Sequence, residues 1–588
     1  MEAELENRPS LGGNLWKILP TDERSAELIS QKYGLPLLVA SVLAHRGVAE
    51  NDVLNFIDPR LQRLMPDPYS LKDMGKAAKR IAVAVKENQK IGIIGDYDVD
   101  GATSSSVLRL YLESVGLQPE VHIPERDEGY GPSIAAVDEF LRLGVQLLVT
   151  TDCGTTAFEV LNYASSQGLD VVVLDHHEAE ARLPEVYAVV NPKRLDEESA
   201  GYLKYMAAVG VVFMTVVAVN RELREQGFFA SRLEPNLMNM LDLVALGTVC
   251  DVVPLRGLNR AYVRQGLKVM AMQQNPGVKA LIAKAGISEA PSAFHLGYVL
   301  GPRINACGRV GEAQLGHRLL CCRNGLEADL LADKLDEFNG QRKDIEAYVL
   351  LKAMEILEGT PQTYPIAFVA GKDWHQGVVG IVAGKLKERY NLPSFVMSIE
   401  ADEVKGSARS IPEVDLGALV IAAKEKGLLT KGGGHNMAAG FSLQEDKIED
   451  FRRFAGEYVR EKIGGEAILP VLEVDGVLNA SGVTVELADM LEKLEPFGAG
   501  NSEPKLMLKQ VRVSKSSLVG SGHVRCYLSG DSGASVKAMA FRSADNDIGQ
   551  ALLTARGEYF DVLGVVRKDN WMGRNSVQFI IDDLRRAG

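Results

Sequence analysis

Cysteine, long apolar runs and excess positive charge are all scarce in this chain. Six cysteines occur among 588 residues and none has CxxC spacing, so a disulfide framework is not expected and a reducing cytoplasm is the simpler environment. The longest apolar run, residues 207–219, is shorter than the roughly 20 residues that cross a bilayer, and the acidic first residues lack a secretory signal's apolar stretch. We therefore expect a soluble protein without membrane association. The net charge of −13 argues against a general polyanion binder, although a local basic groove would suffice for nucleic acid.

A chain of this length exceeds what one hydrophobic core supports, so several domains are expected. From about residue 81 onward, apolar β-branched runs alternate with helical patterns. This alternation predicts an α/β domain whose parallel sheet is covered on both faces. The predicted strands are IGIIGD (91–96), VHIP (121–124), LLVTTD (147–152) and VVVLDHH (171–177).

The later part of the chain changes character twice. Residues 327–358 predict one long helix, and a second α/β region follows it. After Pro470, five short strands separated by turn residues predict a small closed β-barrel of OB type, in which Tyr527, Phe541 and Trp571 could stack on bases. The predicted domains are an N-terminal region (1–75), a catalytic α/β domain (76–326), a connecting helix (327–358), a second α/β domain (359–466) and an OB-type nucleic-acid-binding domain (467–588).

Acidic and imidazole side chains follow three of the predicted strands. They are Asp96, Asp98 and Asp100 after the first strand, Asp152 after the third, and Asp175, His176 and His177 after the fourth. Parallel strands present their carboxyl ends at one edge of the sheet, so these groups should converge there, with Asp251 as a further acidic candidate. Crowded carboxylates resist ionisation unless cations neutralise them, and carboxylates with imidazoles suit two divalent ions such as Mn²⁺.

Each motif alone has another interpretation. DxDxDG resembles half of an EF-hand loop, but Val107 stands at the twelfth position, where that loop needs a glutamate. Asp152 alone could cap a helix, an HH pair is often structural, and Asp242 could replace Asp251 as the fourth acidic group. A zinc hydrolase is less favoured because carboxylates outnumber histidines and the sequence contains no HExxH.

The motifs extend over nearly the whole chain. The acidic ones are GDYDVDG, TTDCG, DHH and GTVCDVVPL, and the others are PERDEGYG (124–131), NPKR (191–194), GPRINACGR (301–309), DWHQGVVGIVAGKL (373–386), KGSARS (405–410), KGGGHNMAAG (431–440) and PFGAGNSEP (496–504). Together they resemble the DHH phosphoesterases, and their forms are similar to the RecJ branch. The resemblance implies that the catalytic domain is a DHH domain and that the second α/β domain is a DHHA1 domain.

The resemblance also implies roles for the acidic groups. One metal ion would be bound by Asp100, Asp152, His176 and Asp251. Asp98 would bind a second ion, with Asp152 as a bridge and Asp96 as a further contributor. Asp175 would orient a histidine, which fixes its ring tautomer, and His177 would contact the scissile phosphate.

Candidate substrate-binding residues lie in the later motifs. Arg303 and Arg309 could form bidentate bonds to phosphate with Asn305 supplying an amide; alternatively, one arginine only pairs with a carboxylate. Trp374 and His375 could stack on a base or only pack. The glycine run and its polar neighbours predict an anion cradle in the second α/β domain, formed by Ser407, Arg409, Ser410, Gly432, Gly433, Gly434 and His435.

The expected function is 5′→3′ exonuclease action on single-stranded DNA, in DNA repair and recombination, with two Mn²⁺ or Mg²⁺ ions. The polarity comes from the resemblance alone. Expected partners are single-stranded DNA, a single-strand-binding protein and a helicase, and the chain is expected to be a monomer. The alternatives are another DHH hydrolase, for which the barrel would be superfluous, and a non-enzymatic scaffold, which would not need a complete ligand set. If the barrel only binds strands, truncation before Pro470 should raise KM and leave hydrolysis intact.

Overall fold

The computed structural model of the chain describes residues 8–126, 128–198, 201–361, 363–401, 403–464, 468–531, 533–569 and 576–587. Two compact units make up this chain. The first contains the described residues up to Gly308, then Glu312–Asp336, and the described residues from Val471 onward. The second contains Arg309–Gly311 and Glu337–Pro470. Within the described residues, no helix is both long and apolar enough to cross a membrane.

The N-terminal region begins with a short strand, β1 (Leu15–Ile18), and continues with helices that prolines and polar residues interrupt. Asp22 starts the first helix by accepting a hydrogen bond from the Ser25 backbone N–H, and Gly34 ends it in the left-handed conformation. The helices of this region are Glu23–Tyr33, Leu37–His45, Val53–Ile57 and Leu61–Leu64.

The catalytic domain is built on a five-stranded parallel sheet, which contains the four strands predicted from the sequence. Its strands are β2 (Ile91–Ile94), β3 (Glu120–His122), β4 (Leu147–Thr151), β5 (Asp170–Leu174) and β6 (Ala188–Val190). All neighbours are parallel, in the order β3-β2-β4-β5-β6. Every residue of β2 and β4 is buried, which explains why these strands appear in the sequence as continuous apolar runs. The sequence analysis did not predict β6.

Helices cover this sheet and extend the domain. Ala208–Glu225 and Leu241–Cys250 both pack on Val99–Ser114, the helix that follows β2. The helices of the domain are Met74–Lys86, Val99–Ser114, Ile134–Arg142, Phe158–Ser166, Ala208–Glu225, Leu241–Cys250, Gly257–Ala271, Pro276–Lys284, Ala293–His295, Gly301–Val310 and Gln314–Cys321.

The predicted connecting helix is present as Gly325–Gly359. It leads into a mixed five-stranded sheet in the order β10-β11-β9-β8-β7, in which only β7 and β8 are parallel. Its strands are β7 (Ala367–Lys372), β8 (Ser394–Glu400), β9 (Glu403–Arg409), β10 (Lys431–His435) and β11 (Ala438–Gln444), and its helices are Gln376–Tyr390, Leu416–Glu425 and Ile448–Ile463.

The C-terminal strands close into a barrel, which confirms the OB-type prediction. Their ladder runs β14-β15-β16-β18-β17, and β17 pairs back with β14. Residues of β15 alternate between buried and more exposed positions because one face of the strand lines the barrel core. The strands are β12 (Val471–Val474), β13 (Gly476–Leu478), β14 (Leu506–Val519), β15 (His523–Ser529), β16 (Ser535–Ala540), β17 (Tyr559–Asp569) and β18 (Ser576–Arg586), with helices Val485–Glu492 and Asp547–Thr554.

The N-terminal helices and the C-terminal barrel share one hydrophobic core. Ile29, Val39 and Leu43 belong to the same buried cluster as barrel residues such as Leu508 and Phe560. Strand β1 also pairs in parallel with β12. The two ends of the chain therefore fold together, a long-range arrangement that local sequence patterns do not reveal.

Candidate metal centre

The carboxyl ends of three adjacent strands create the candidate metal centre. β2, β4 and β5 are neighbours in the sheet, and Asp96, Asp152 and Asp175 follow them directly. Their order along the sheet brings the acidic turns to one edge, as parallel strands require. Asp152 has a left-handed backbone with a φ of 62°, a conformation that aspartate tolerates better than most residues.

Three groups of side chains there lie close enough to hold cations. In each group, one ligand atom per residue lies within 4.8 Å of the others; Asp152 belongs to two of the groups, and so does His176. His176 Nε2 lies 3.3 Å from Asp152 Oδ1, and His176 Nδ1 lies 3.6 Å from Asp251 Oδ2. The groups are Asp96, Asp98 and Asp152; Asp100, His176 and Asp251; and Asp152, His176 and His177.

Asp98 and Asp100 are fixed by backbone amides at two helix ends. Asp98 caps the helix Val99–Ser114 by accepting from the Gly101 N–H at 3.0 Å. Asp100 accepts from the Ala208 and Val209 N–H groups, at 2.6 and 2.9 Å, where a second helix begins. Helix N-termini favour negative charge, so this contact stabilises a buried carboxylate. A Cβ at Gly101 would overlap with the Asp96 carbonyl, so the turn of the DxDxDG motif requires glycine.

Asp175 holds the second histidine of the DHH motif. Its Oδ1 lies 2.7 Å from His177 Nδ1, and it also accepts the backbone N–H groups of His176 and Thr155. Burial alone would raise the pKa of Asp175, but the hydrogen bond and charge of His177 outweigh burial and hold that pKa well below its usual value. For His177, burial acts in the opposite direction and lowers the pKa of the imidazole. The hydrogen bond and charge of Asp175 outweigh burial and raise that pKa. The histidine that Asp175 orients is therefore His177.

Tyr130 is a site residue that the sequence analysis did not single out. Its hydroxyl donates to the Asp152 carbonyl oxygen at 2.8 Å and lies 3.1 Å from His177 Nδ1. The two rings also make an edge contact, with centroids 5.5 Å apart. The signal in the sequence was its place in the PERDEGYG motif. A tyrosine beside a glycine is easily passed over when site residues are sought mainly among charged side chains.

Several buried polar atoms at the centre have no hydrogen-bond partner within the described residues. They are Asp96 Oδ1, Asp152 Oδ1, both ring nitrogens of His176, and Asp251 Oδ2. Buried polar atoms are normally satisfied, and an unsatisfied one costs about 1–3 kcal/mol. All of these atoms are oxygen or nitrogen donors suited to a divalent cation. The residues present therefore fit a metal ion.

Burial and the crowding of carboxylates shift the pKa values at the centre. Burial and the charge of Asp98 raise the pKa of Asp96 to about 7. Burial, followed by the charges of Asp100 and Asp98, raises the pKa of Asp152 well above its ordinary value and that of Asp251 as well. Burial lowers the pKa of His176 to about 3, so its ring is neutral and free to bind a cation.

Comparison with known proteins identifies the fold and its relatives. Three family models match: DHH family, N-terminal domain, at residues 90–248; DHHA1 domain at 362–461; and RecJ OB domain at 474–583. The chain is 37% identical to the "Single-stranded-DNA-specific exonuclease RecJ" of Dickeya dadantii over 504 residues, which span 84% of this chain and 86% of that protein. The chain belongs to the RecJ family. It is a hydrolytic nuclease by that membership.

Solved RecJ structures support the assignment of the metal. The RecJ of Thermus thermophilus in complex with Mn²⁺ superimposes with a TM-score of 0.81 and 27% identity, covering 97% of this chain and 80% of that one. The same protein in complex with Mg²⁺ gives 0.75 and 25%, covering 97% and 78%. The acidic centre of this RecJ-family chain accordingly binds Mn²⁺ or Mg²⁺.

In the RecJ-type motif GPRINACGR, Arg303 and Asn305 form hydrogen bonds within the fold. Arg303 is largely buried, pairs with Asp336 at 2.9 Å and donates to the Val299 carbonyl, which favours the carboxylate-pairing alternative. Asn305 Oδ1 accepts from the Val99 N–H at 3.1 Å and so holds the loop between Asp98 and Asp100. Asp242 is buried among backbone partners and belongs to none of the three metal groups.

The candidate residues of the second unit fall into two classes. Trp374 is only 5% exposed and packs in a core with Val378 and Leu386, so the packing alternative is favoured for it. The hydroxyl of Ser410 is buried and donates to the Val414 carbonyl. Both side chains are occupied by the fold.

The remaining second-unit candidates are partly or fully exposed. His435 is exposed at the end of β10, an edge strand, where alternate backbone N–H groups are not used by β11. Arg409 donates to Ser407 Oγ at 3.0 Å, and Arg309 donates to the Gly377 carbonyl at 2.8 Å. His375 is exposed and caps the helix Gln376–Tyr390 by accepting from the Gly377 N–H. Gly433 and Gly434, both exposed, lie within β10.

The barrel aromatics named from the sequence are exposed where the structure describes them. Tyr527 is 37% and Phe541 51% exposed, so both are available for stacking. Trp571 lies outside the described residues. The six cysteines are all free thiols.

Proposed function

We propose that the chain is a 5′→3′ exonuclease that hydrolyses single-stranded DNA with two divalent ions and acts in DNA repair and recombination. The observation that carries the proposal is the set of three overlapping ligand groups around Asp152 and His176, with their unsatisfied buried atoms. The name of the Dickeya dadantii relative supports single-stranded DNA as the substrate. The 5′→3′ polarity rests on the sequence resemblance alone.

The residues divide the chemical work between them. We assign Asp100, Asp152, His176 and Asp251 to one ion and Asp98 to the other, with Asp152 shared and Asp96 as a further ligand. Two divalent ions, when bound, neutralise the phosphate and lower the pKa of the attacking water.

Other residues of the centre contact the substrate or hold the site in place. His177 is held by Asp175, whose hydrogen bond and charge raise the pKa of the imidazole, and it donates to a phosphate oxygen. Tyr130 keeps that ring in place. Asn305 fixes the loop that carries Asp98 and Asp100.

Other groups have more distant roles in this proposal. Arg309, Arg409, Ser407 and His435 are assigned to the DNA backbone, because they offer nitrogen and hydroxyl donors at positions that are partly or fully exposed. The barrel adds affinity for the strand. We further propose that the chain works in the cytoplasm as a monomer, with a single-strand-binding protein and a helicase as partners.

The decisive experiment uses the full chain with Mn²⁺ on single strands labelled at either end. A 5′→3′ exonuclease releases label from the 5′-labelled strand at once and shortens the 3′-labelled strand progressively. Duplex DNA, dinucleotides and pyrophosphate serve as competing substrates, and Asp152→Ala is the inactive control. Preferential cleavage of dinucleotides or pyrophosphate would replace the proposal by another DHH hydrolase, and release from the 3′ end would reverse the polarity.

A further inference from the structure

The PFGAGNSEP motif has no part in the chemistry proposed above, yet it contacts the segment that follows Asp251, a proposed metal ligand. We define the brace loop as residues 494–501, which precede β14 of the C-terminal barrel. This loop contacts residues 254–256, three to five positions after Asp251. Both segments belong to the first unit.

Backbone hydrogen bonds and close packing join the two segments. The Leu255 N–H donates to the Ala499 carbonyl at 2.8 Å, and Arg256 Nε donates to the Gly500 carbonyl at 3.4 Å. Leu255 is 1% exposed, so its amide has no access to water as an alternative partner. A Cβ at Gly500, whose φ is +66°, would lie 3.0 Å from Pro254 Cβ. The contact is therefore tight as well as hydrogen-bonded.

The brace loop is itself held from behind. Arg260 is 1% exposed and donates to the carbonyls of Leu494, Glu495 and Pro496, at 2.7, 2.6 and 3.3 Å. The side-chain amide of Asn501 donates to two of the same residues, at 2.9 Å to Leu494 and 2.7 Å to Pro496. Five hydrogen bonds to three consecutive carbonyls make the loop a rigid support.

The position of Asp251 depends on its backbone, because hydrogen bonds to its side chain give it little support. The Asp100 carboxylate accepts hydrogen bonds from two backbone amides and that of Asp175 from three, whereas Asp251 Oδ2 has no hydrogen-bond partner among the described residues. Asp251 also stands at the end of the helix Leu241–Cys250 and not on a strand.

The residue after Asp251 increases this dependence. Val252 has a φ of +59° and is 71% exposed. A β-branched residue in this conformation is strained, and its exposed side chain makes few contacts that could hold it there. The conformation persists only when the flanking structure imposes it.

We propose that the brace loop positions Asp251 for metal binding by fixing the chain that follows it. The C-terminal domain then contributes to the metal centre as well as to strand binding. This proposal rests on the role of Asp251 as a ligand, which belongs to the proposed function. Gly500, Asn501 and Arg260 act through Pro254 and Leu255 and are positioning residues.

The test compares two glycine substitutions in the full-length chain. Gly500→Ala forces a Cβ against Pro254. Gly522→Ala is the matched control, since its φ of +88° imposes similar backbone strain in the same domain but nothing lies within 4 Å of its Cβ. Mn²⁺ affinity is measured by titration calorimetry on the metal-free protein. We expect Gly500→Ala to weaken Mn²⁺ binding about 10-fold, which is the smaller loss of metal affinity typical of mutating a residue that supports a ligand. Gly522→Ala should change Mn²⁺ affinity less than about two-fold.

A second pair of variants guards against a folding defect. A Cβ at Gly498 would lie 2.8 Å from Leu255 Cδ1, so Gly498→Ala should weaken Mn²⁺ binding, and Leu255→Val in the same chain, which removes that atom, should restore it. Kinetically, Gly498→Ala should require more Mn²⁺ for half-maximal rate while KM for long strands at saturating Mn²⁺ stays unchanged.

Equal effects of Gly500→Ala and Gly522→Ala, or unchanged Mn²⁺ affinity in both Gly500→Ala and Gly498→Ala, would overturn the proposal. Asp251→Asn separates this failure from failure of the proposed function. If Asp251→Asn binds Mn²⁺ as tightly as the native chain, the ligand assignment is wrong; if Asp251→Asn binds weakly while the brace variants bind normally, only the brace is wrong.

Discussion

Truncation of the C-terminal domain should unfold the N-terminal region as well. The sequence suggests that the chain can be cut before Pro470 with loss of strand affinity alone, but the shared core changes that expectation. Trp16 is buried with Val474, Met507 and Leu563, and its indole N–H donates to Asp583 at 2.9 Å. These four partners are lost when the residues after 464 are removed.

The expected loss can be worked out from burial. Trp16, Ile29, Val39 and Leu43 are each at most 2% exposed in the full chain. Burying such side chains contributes about 1.5–3 kcal/mol each, or about 6–12 kcal/mol together. The N-terminal helices also bury part of this surface against one another, so the lower value is the better guide. A loss of about 6 kcal/mol is comparable with the whole stability of many domains.

Limited trypsin digestion with mass spectrometry, together with calorimetry, tests this expectation. A chain ending at residue 464 should be cleaved within the helix Glu23–Tyr33, and after Arg46 at the end of the helix Leu37–His45, much faster than the full chain. A chain of residues 58–464, which also lacks the N-terminal share of the core, is the control and should resist digestion. The reasoning is refuted if the chain ending at 464 keeps the protection and the melting temperature of the full protein.

Three further outcomes are expected. Asp251→Asn should abolish Mn²⁺-dependent hydrolysis. Asp242→Asn should retain at least about a tenth of the native rate in the same assay, because Asp242 lies in none of the metal groups. An inactive but folded Asp242→Asn chain would reverse the assignment. Tyr130→Phe should lower kcat about 10-fold without changing Mn²⁺ affinity measured by calorimetry, because it removes the hydroxyl beside the imidazole and no metal ligand. In metal-free protein the pKa of Asp96 rises from 3.8 to about 7, mainly through burial, so its folded state binds more protons than the unfolded state between these values. This stabilisation is complete below pH 3.8 and is lost as the pH rises through about 7, so the melting temperature of the chelated protein should contain a component that falls with rising pH. Asp96→Asn should remove that component, and an identical pH profile for Asp96→Asn would refute the shift.

The sequence predicts those features of the fold that depend on local pattern. Continuous apolar runs identify β2, β4 and β5, and turn residues delimit the barrel strands. A strand that is buried on both faces is apolar throughout, whereas one that is buried on one face alternates between apolar and polar residues. The convergence of the acidic turns also follows from the sequence, since parallel strands share one carboxyl edge.

Features that depend on packing between distant segments were not predictable. Arg303 looks like a phosphate ligand in its motif, yet its partner, Asp336, lies 33 residues later on the connecting helix. Trp374 looks equally suited to a base and to a core until its burial is known. The union of the N-terminal helices with the barrel is a third case. In each, the deciding contact joins residues whose proximity no short pattern encodes.

The residues of the metal centre differ in how firmly the fold holds their side chains. Backbone amides hold the carboxylate of Asp100, which accepts from Ala208 and Val209, and that of Asp175, which accepts from Thr155 and His176. Asp152, His176 and Asp251 instead carry buried atoms with no partner among the described residues. For these three, the same burial that raises the carboxyl pKa values also makes the bound cation more favourable, since Coulomb attraction is stronger where water is excluded. In the proposed site, Asp100 is thus a ligand that the fold fixes in place, whereas the residues with unpartnered atoms supply the free energy gained when an ion binds.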